Sequence, residues 1–267
     1  MHELNQILTQ WQALKLQEVL DFDKFNQFAI VHHSTTIEGS TLTETEAQLL
    51  LDEGLTPKGK PLLHSLMNID HLEALQFVIQ SAAKREPVST TFIQAINARV
   101  MKQTGSVYHT AFGTLDSTMG VFRKGNVRAG NSYFANYDKV PALVEKLCKA
   151  LNEKMPTCRE PHDQLNLSFD AHFDLVTIHP FYDGNGRTSR LLMNYIQGYF
   201  GLPMGIVFKE DKADYFDSLV KARELEDLSI FRQFMMEQYL RFLSMETDQY
   251  SRAKSQKGKA GGFSMIF

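Results

Sequence analysis

Apolar positions along the chain recur mostly at helical spacing. In DFDKFNQFAIVHHSTTIEG, Phe22, Phe25, Phe28 or Ala29 and His32 share one face, and Gly39 suits the position just past a helix end. Thr43 and Glu46 then form a capping-box pattern, and ETEAQLLLDE runs on to Gly54. After the loop TPKGKP, the stretch LLHSLMNIDHLEALQFVIQSAAKRE reads as a long helix closed by Pro87. Residues 89 to 103 read as another, opened by Ser89 or Thr90. Further on, Leu143, Leu147 and Leu151 align, and then Leu165, Phe169, His172 or Phe173, and Val176. RTSRLLMNYIQGYF ends at Gly201 and Pro203, and two more helices cover ADYFDSLVKARELED and IFRQFMMEQYLRFLSM.

Residues 104 to 136 break this pattern. They are rich in Gly, Ser, Thr, Asn and aromatics, with short alternating pieces such as VFRKGNVRAG, and predict a hairpin turning near Gly125-Asn126. The expected architecture is all-α with one small β-hairpin. Residues 1–88 form an N-terminal helical region and residues 89–245 a domain built around the helix, loop and helix at 165–200. From 246 to 267 the chain turns polar, basic and glycine-rich and reads as a loose tail.

Composition narrows the function classes. In 267 residues with 43% hydrophobic there is enough apolar material for a real core, and a net charge of -3 argues against binding polyanions over the whole surface. Contacts with phosphate must be local. Cys148 and Cys158 are not spaced as metal ligands, and two thiols in this length fit a reducing compartment. The start, MHELNQILTQWQ, lacks the pattern of a signal peptide, and no apolar run approaches the roughly 20 residues of a membrane span. A cytoplasmic protein, with neither membrane nor nucleic acid as partner, is the expectation.

Residues 179 to 190, HPFYDGNGRTSR, carry the chemistry. Pro180 disfavours helical dihedrals at His179, so one helix ends near Ile178, and the next starts around Asn185 to Arg187. Gly184 and Gly186 allow successive amides to turn inward as an anion-binding nest, at a helix N-terminus that attracts anions already. Arg187 and Arg190 sit in the first turn, against the helix dipole at about 0.3–1 kcal/mol each, and call for a polyphosphate or a carboxylate. Asp183 suits a hard cation such as Mg²⁺, and His179 a proton acceptor near neutral pH. Each feature alone has a structural reading: a His before Pro, a Gly-Asn-Gly turn, two arginines on a solvated face. Together within twelve residues they fit phosphoryl or nucleotidyl transfer.

The same stretch resembles the Fic family signature, His-x-Phe-x-Asp/Glu-Gly-Asn-Gly-Arg-x-x-Arg, at every specified position: His179, Phe181, Asp183, Gly184, Asn185, Gly186, Arg187 and Arg190. The likeness spans roughly residues 90 to 240. It implies transfer of AMP from ATP to a Ser, Thr or Tyr hydroxyl of a target protein, which can be a copy of the enzyme itself. By the resemblance His179 is the base and Asp183 holds Mg²⁺. Gly184, Asn185, Gly186 and Arg187 hold the α- and β-phosphates, Arg190 takes the γ-phosphate, and Phe181 is a buried anchor. The hairpin looks like the family's flap, which aligns a target segment by strand addition. Tyr215 is a candidate for contact with the adenosine, with a core tyrosine as the alternative. Arg223 departs from the Asn often found in relatives and leaves the nucleotide base open.

STTIEG, residues 34 to 39, resembles the family's inhibitory pattern Ser/Thr-x-x-x-Glu-Gly/Asn. Glu38 falls in the last turn of its helix, as badly placed for the dipole as Arg190 is at its own helix start, and pairing relieves both. Ser34, one turn earlier, is placed to hydrogen-bond the Glu38 carboxylate. The expected protein is thus an autoinhibited adenylyltransferase that needs ATP and Mg²⁺, as monomer or homo-oligomer. Other Fic-type transfers (UMP, phosphocholine or phosphate) and removal of AMP are alternatives. Outside the enzyme class, an idle nucleotide-binding interaction module is a third reading, against which the intact His179 and Asp183 stand.

Overall fold

The computed structural model describes residues 2–15, 22–110, 113–129 and 132–257. Among these the helices are α1 (His2–Leu14), α2 (Phe22–Ile37), α3 (Glu44–Glu53), α4 (Leu62–Ala83), α5 (Thr90–Val100), α6 (Val140–Lys154), α7 (Pro161–Ile178), α8 (Asn185–Tyr199), α9 (Lys212–Glu224) and α10 (Leu228–Lys257). No helix among the described residues is long and apolar enough to cross a membrane. The all-α architecture with a small β element is therefore observed.

The helix ends follow local chemistry. Thr43 and Glu46 make both halves of the capping box, and Gly54 closes α3 at φ 72°. Ser89 caps α5 by accepting from the Phe92 amide. Helix α8 is central, buried along nearly all of its length, with α7, α4 and α5 around it and α2 against its N-terminal half. Its apolar residues Leu191, Leu192, Tyr195 and Ile196 share one core with Leu75, Ile93, Phe169 and Leu175. A charged residue near its start is therefore buried by position, and its partner must come from another helix.

The β structure differs from expectation. Two hairpins form, β1 (Val107–Thr110) with β2 (Gly113–Asp116), and β3 (Arg128–Ala129) with β4 (Ser132–Tyr133). The second pairs Arg128 with Tyr133 and Ala129 with Ser132, so Gly125-Asn126 lies ahead of β3 and is not its turn. Asn126 is used at the base of the hairpin instead, where its Oδ1 accepts from the Tyr137 amide at 2.9 Å. The first hairpin goes beyond the single one expected.

The C-terminal boundary also shifts. Helix α10 passes through residue 246 to Lys257, so residues 246–257 are not a loose tail; residues 258–267 lie outside the described ones. Glu246 is 8% exposed and accepts from the Trp11 indole at 3.0 Å, which ties α10 to α1. That long-range contact holds as helix a segment whose composition alone is polar.

Candidate active site

The loop between α7 and α8 is built by its own backbone. Pro180 stops His179 from continuing α7, and His179 takes the left-handed conformation, φ 51°, while its amide bonds Leu175 O at 3.0 Å. Phe181, 2% exposed, packs on Phe122 and anchors the loop. The Asn185 side chain bridges back across the loop, accepting from the Phe181 amide and donating to the Phe181 carbonyl, both at 2.9 Å. Asn185 therefore offers an anion its backbone amide, its side chain being committed. Gly184 caps α8 at φ 77°, and a Cβ there would meet Asn97 Nδ2 and Met101 Sδ at 2.8 Å.

Both arginines point inward. Arg187 is 3% exposed and donates to Val100 O and Met101 Sδ, each at 3.3 Å. It thus lies against the C-terminus of α5, a favourable place for a cation, which offsets its position at the start of α8. Its Nε is buried without a partner among the described residues. Arg190, also 3% exposed, donates from Nε to Ser34 Oγ at 2.9 Å, and from Nη2 to Ser34 O at 3.1 Å and Glu38 Oε1 at 2.6 Å. Ser34 thus binds Arg190 and not the Glu38 carboxylate, because its hydroxyl sits beside the guanidinium. Burial pushes the Glu38 carboxyl up, but Arg190 and then Arg187 hold it below its ordinary value.

The turn that carries Glu38 is fixed to α4. Thr35 Oγ1 donates to Asn68 Oδ1 at 3.1 Å, and Asn68 Nδ2 donates to Ser40 Oγ at 3.2 Å. A Cβ on Gly186 would collide with Glu38 Oε1, so the carboxylate stands over the first turn of α8, where the unpaired amides are. One carboxylate meets the nest and Arg190 together.

His179 and Asp183 flank the loop. Burial, foremost, lowers the imidazole to about 4, with Arg123 and Arg223 adding to this, so it is neutral at pH 7. Its Nδ1 lies 3.4 Å from Val176 O, which favours the proton on Nδ1 and leaves the Nε2 lone pair to accept. The Asp183 side chain is 53% exposed and 3.6 Å from Arg187 Nη2. Among the described residues no group of three or more His, Cys, Asp or Glu could hold a metal. An ion here would use Asp183 and oxygens of a ligand, which suits Mg²⁺ with a polyphosphate.

Tyr215 belongs to the core. It is 1% exposed, its hydroxyl 2.8 Å from His172 Nε2 and 3.5 Å from Arg190 Nη1, among the rings of Phe231 and Phe234. It touches no open surface, so the core alternative holds. The spacing of Tyr215, Ser218, Leu219 and Ala222, all buried, is the signal that marks this face of α9.

Two supporting residues carried no local signal. Asn97 of α5 donates from Nδ2 to Asp183 O and Thr188 Oγ1, both at 3.1 Å. Arg123, 2% exposed, donates from Nε to His179 O and from Nη1 to Gly125 O, both at 2.8 Å, and from Nη2 to Ala135 O. The Asn97 contacts and the bond from Arg123 to His179 O cross long sequence separations that no pattern reports.

A helical bundle that presents a neutral imidazole, an open carboxylate and a nest of amides beside two buried guanidiniums has groups that suit phosphate. Residues 87–197 match the model of the Fic/DOC family, so the chain carries a Fic domain. It is 28% identical over 210 residues to a protein adenylyltransferase Fic of Drosophila erecta, a match of 78% of this chain and 39% of that relative. The chain thus spans about two fifths of the length of the curated relatives it matches. Its fold superimposes on a Fic domain containing signaling protein from Bacteroides thetaiotaomicron with a TM-score of 0.81 at 23% identity, over 94% of this chain and 98% of that one. Fic-1 from C. elegans gives 0.75 at 24%, over 96% and 72%. These last two likenesses establish the fold.

Proposed function

We propose that the chain is an autoinhibited protein adenylyltransferase that moves AMP from ATP to a hydroxyl of a target protein. The observation that carries this reading is Glu38 seated on both Arg190 and the first turn of α8, within a complete Fic signature. The relatives named adenylyltransferases support the choice of AMP.

The chain's own groups fit the substrate. An anion over the nest would meet the amides of Gly184 to Gly186, and the buried unpartnered Arg187 Nε is a donor that a phosphate satisfies. Asp183 would hold Mg²⁺, which when bound neutralises the phosphate oxygens and eases departure of pyrophosphate. His179 Nε2 takes the proton from the acceptor hydroxyl as its oxygen bonds to the α-phosphorus. The bond from that phosphorus to the bridging oxygen breaks, and pyrophosphate carries away the electron pair. An imidazole already neutral at pH 7 needs no prior deprotonation for this role.

Glu38 opposes the reaction on two counts. Its carboxylate holds Arg190, the group assigned to the γ-phosphate, and it places negative charge over the amides meant for the phosphates. The test is the intact mass of Glu38→Gly and of Glu38→Gly/His179→Ala after incubation with ATP and Mg²⁺, alone and with a cell extract. One AMP added to any protein by the first variant only is the expected result. No product from any nucleotide with either variant would overturn the reading in favour of an idle binding module.

A further inference from the structure

The base is covered by an aromatic ring from the flap. Phe134, directly after β4, stacks on the His179 imidazole with ring centroids 3.9 Å apart and planes 14° from parallel. The guanidinium of Arg223 on α9 lies 5.9 Å from the centroid of the same phenyl ring. Tyr133, its neighbour on β4, is 80% exposed, in keeping with alternate side chains facing opposite sides of the hairpin.

Arg123 fixes the distance between flap and base. Its amide donates to Pro180 O at 2.9 Å, and its guanidinium serves His179 O, Gly125 O and Ala135 O. Gly125 and Ala135 lie on the two legs of the β3–β4 hairpin, which Asn126 ties again through the Tyr137 amide. A buried arginine whose every side-chain nitrogen donates to a backbone carbonyl serves geometry, not charge pairing. Ala135, after Phe134, is thus held by Arg123, while Tyr133, before it, pairs with Arg128 of β3, and this limits the freedom of Phe134 to leave the imidazole.

We propose that Phe134 is the positioning residue of the base: its ring fixes the plane of the His179 imidazole and seals one face, so that Nε2 meets an acceptor hydroxyl only along the ring plane. A nearly parallel ring opposes rotation of the imidazole, and with Nδ1 on Val176 O a single tautomer remains. The seal also keeps water from the ring, in line with the low proton affinity of this histidine. The charged groups that bear on His179 are Arg123 from the flap segment, Arg223 from α9 and Glu38 from the turn after α2. Replacing Phe134 leaves all of them in place. The kinetic part of this inference rests on the transfer reading; the placement of the imidazole does not.

The experiment compares Phe134→Ala and Phe134→Tyr with the parent chain. Nitrogen NMR of the His179 ring gives its tautomer and titration without any turnover. Transfer is measured in the Glu38→Gly background. Phe134→Ala is expected to raise the His179 pKa from about 4 toward 6.5 and to mix the tautomers. It is also expected to lower kcat roughly tenfold to a hundredfold with KM for ATP little changed. Phe134→Tyr, which keeps the stacked ring, restores both. An Ala variant with the parent tautomer and titration overturns the proposal whatever its rate. If no Glu38→Gly variant transfers AMP, the transfer reading fails, and the NMR result still decides the role of Phe134.

Discussion

Glu38 Oε1 stands 2.6 Å from Arg190 Nη2 and against the position a Cβ would take on Gly186. One side chain therefore satisfies a buried cation and covers the start of α8. Removing it frees both at once. A hydrogen bond to a charged group contributes about 1.5–3 kcal/mol, or roughly a tenfold to hundredfold change in an equilibrium. Glu38→Gly is expected to raise the rate of AMP incorporation by that order, measured with labelled ATP.

The same variant is expected to be less stable without nucleotide. Arg190 keeps Ser34 but loses its counter-ion while 3% exposed. Breaking a buried pair costs about 3–5 kcal/mol; with the Glu38 side chain 29% exposed and Ser34 retained, about 1–2 kcal/mol is the fitting figure. ATP, by binding the freed site, is expected to raise the melting temperature of Glu38→Gly more than that of the parent. Equal shifts in both proteins would mean that Glu38 does not compete with phosphate.

Acidity is expected to weaken the fold before it opens the latch. Glu38 ionises below the usual 4.5, so its contribution is present above 4.5 and is lost only as pH falls through its lower folded value. The buried histidines behave otherwise. Burial lowers His32, His33 and His179 to about 4, and His71 and His172 well below 6.5. From pH 6.5 downward the unfolded chain binds protons that the folded chain refuses, and stability falls by up to about 1.4 kcal/mol per pH unit for each group. Glu246, raised by burial to about 7, works in the opposite direction between 4.5 and 7 but is outnumbered. Denaturant midpoints should therefore drop from pH 7.5 to 5.5 while transfer by the parent chain stays low.

Gly184 is expected to resist substitution. Its φ of 77° costs a side chain about 1–2 kcal/mol, and a Cβ would meet Asn97 Nδ2 and Met101 Sδ at 2.8 Å. Gly184→Ala should lose about 1–3 kcal/mol in chemical denaturation and abolish transfer even in the Glu38→Gly background. Gly201, with a similar φ of 71° and nothing within 4 Å, is the control: Ala there should cost stability alone.

Much of this was legible in the residues because it is local. Thr43 with Glu46, Gly54 and Ser89 mark helix ends through contacts within a few positions. The nest and its arginines fall within one loop and one helical turn, and Glu38 was legible because its charge, like that of Arg190, is wrong for its own helix end. What escaped depends on distant chain. Gly125-Asn126 has the composition of a hairpin turn, yet its bonds to Tyr137 and to Arg123, itself held by the distant His179 carbonyl, claim it for the base of the flap. Residues 246–257 look polar and loose until the part-buried Trp11–Glu246 contact is known. Ser34 pairs by spacing with the carboxylate four residues on, whereas Arg190 arrives from a helix 156 residues away.

Asn97 gives the last test, since its importance is visible only in three dimensions. Its amide nitrogen donates to Asp183 O and Thr188 Oγ1 and packs where a Cβ on Gly184 would stand. It therefore holds the loop that carries the acidic residue to the side of α8 that follows it. Asn97→Leu keeps the bulk but removes the donor and leaves a buried hydroxyl and a carbonyl short of a partner, at about 1–3 kcal/mol. In the Glu38→Gly background it should lower kcat and raise the Mg²⁺ concentration for half-maximal rate, because the backbone of Asp183 is no longer fixed. Asn97→Ser, with a shorter donor, should recover part of both. A Leu variant that lost stability yet kept its Mg²⁺ dependence would reduce Asn97 to a packing residue and detach it from the placement of Asp183.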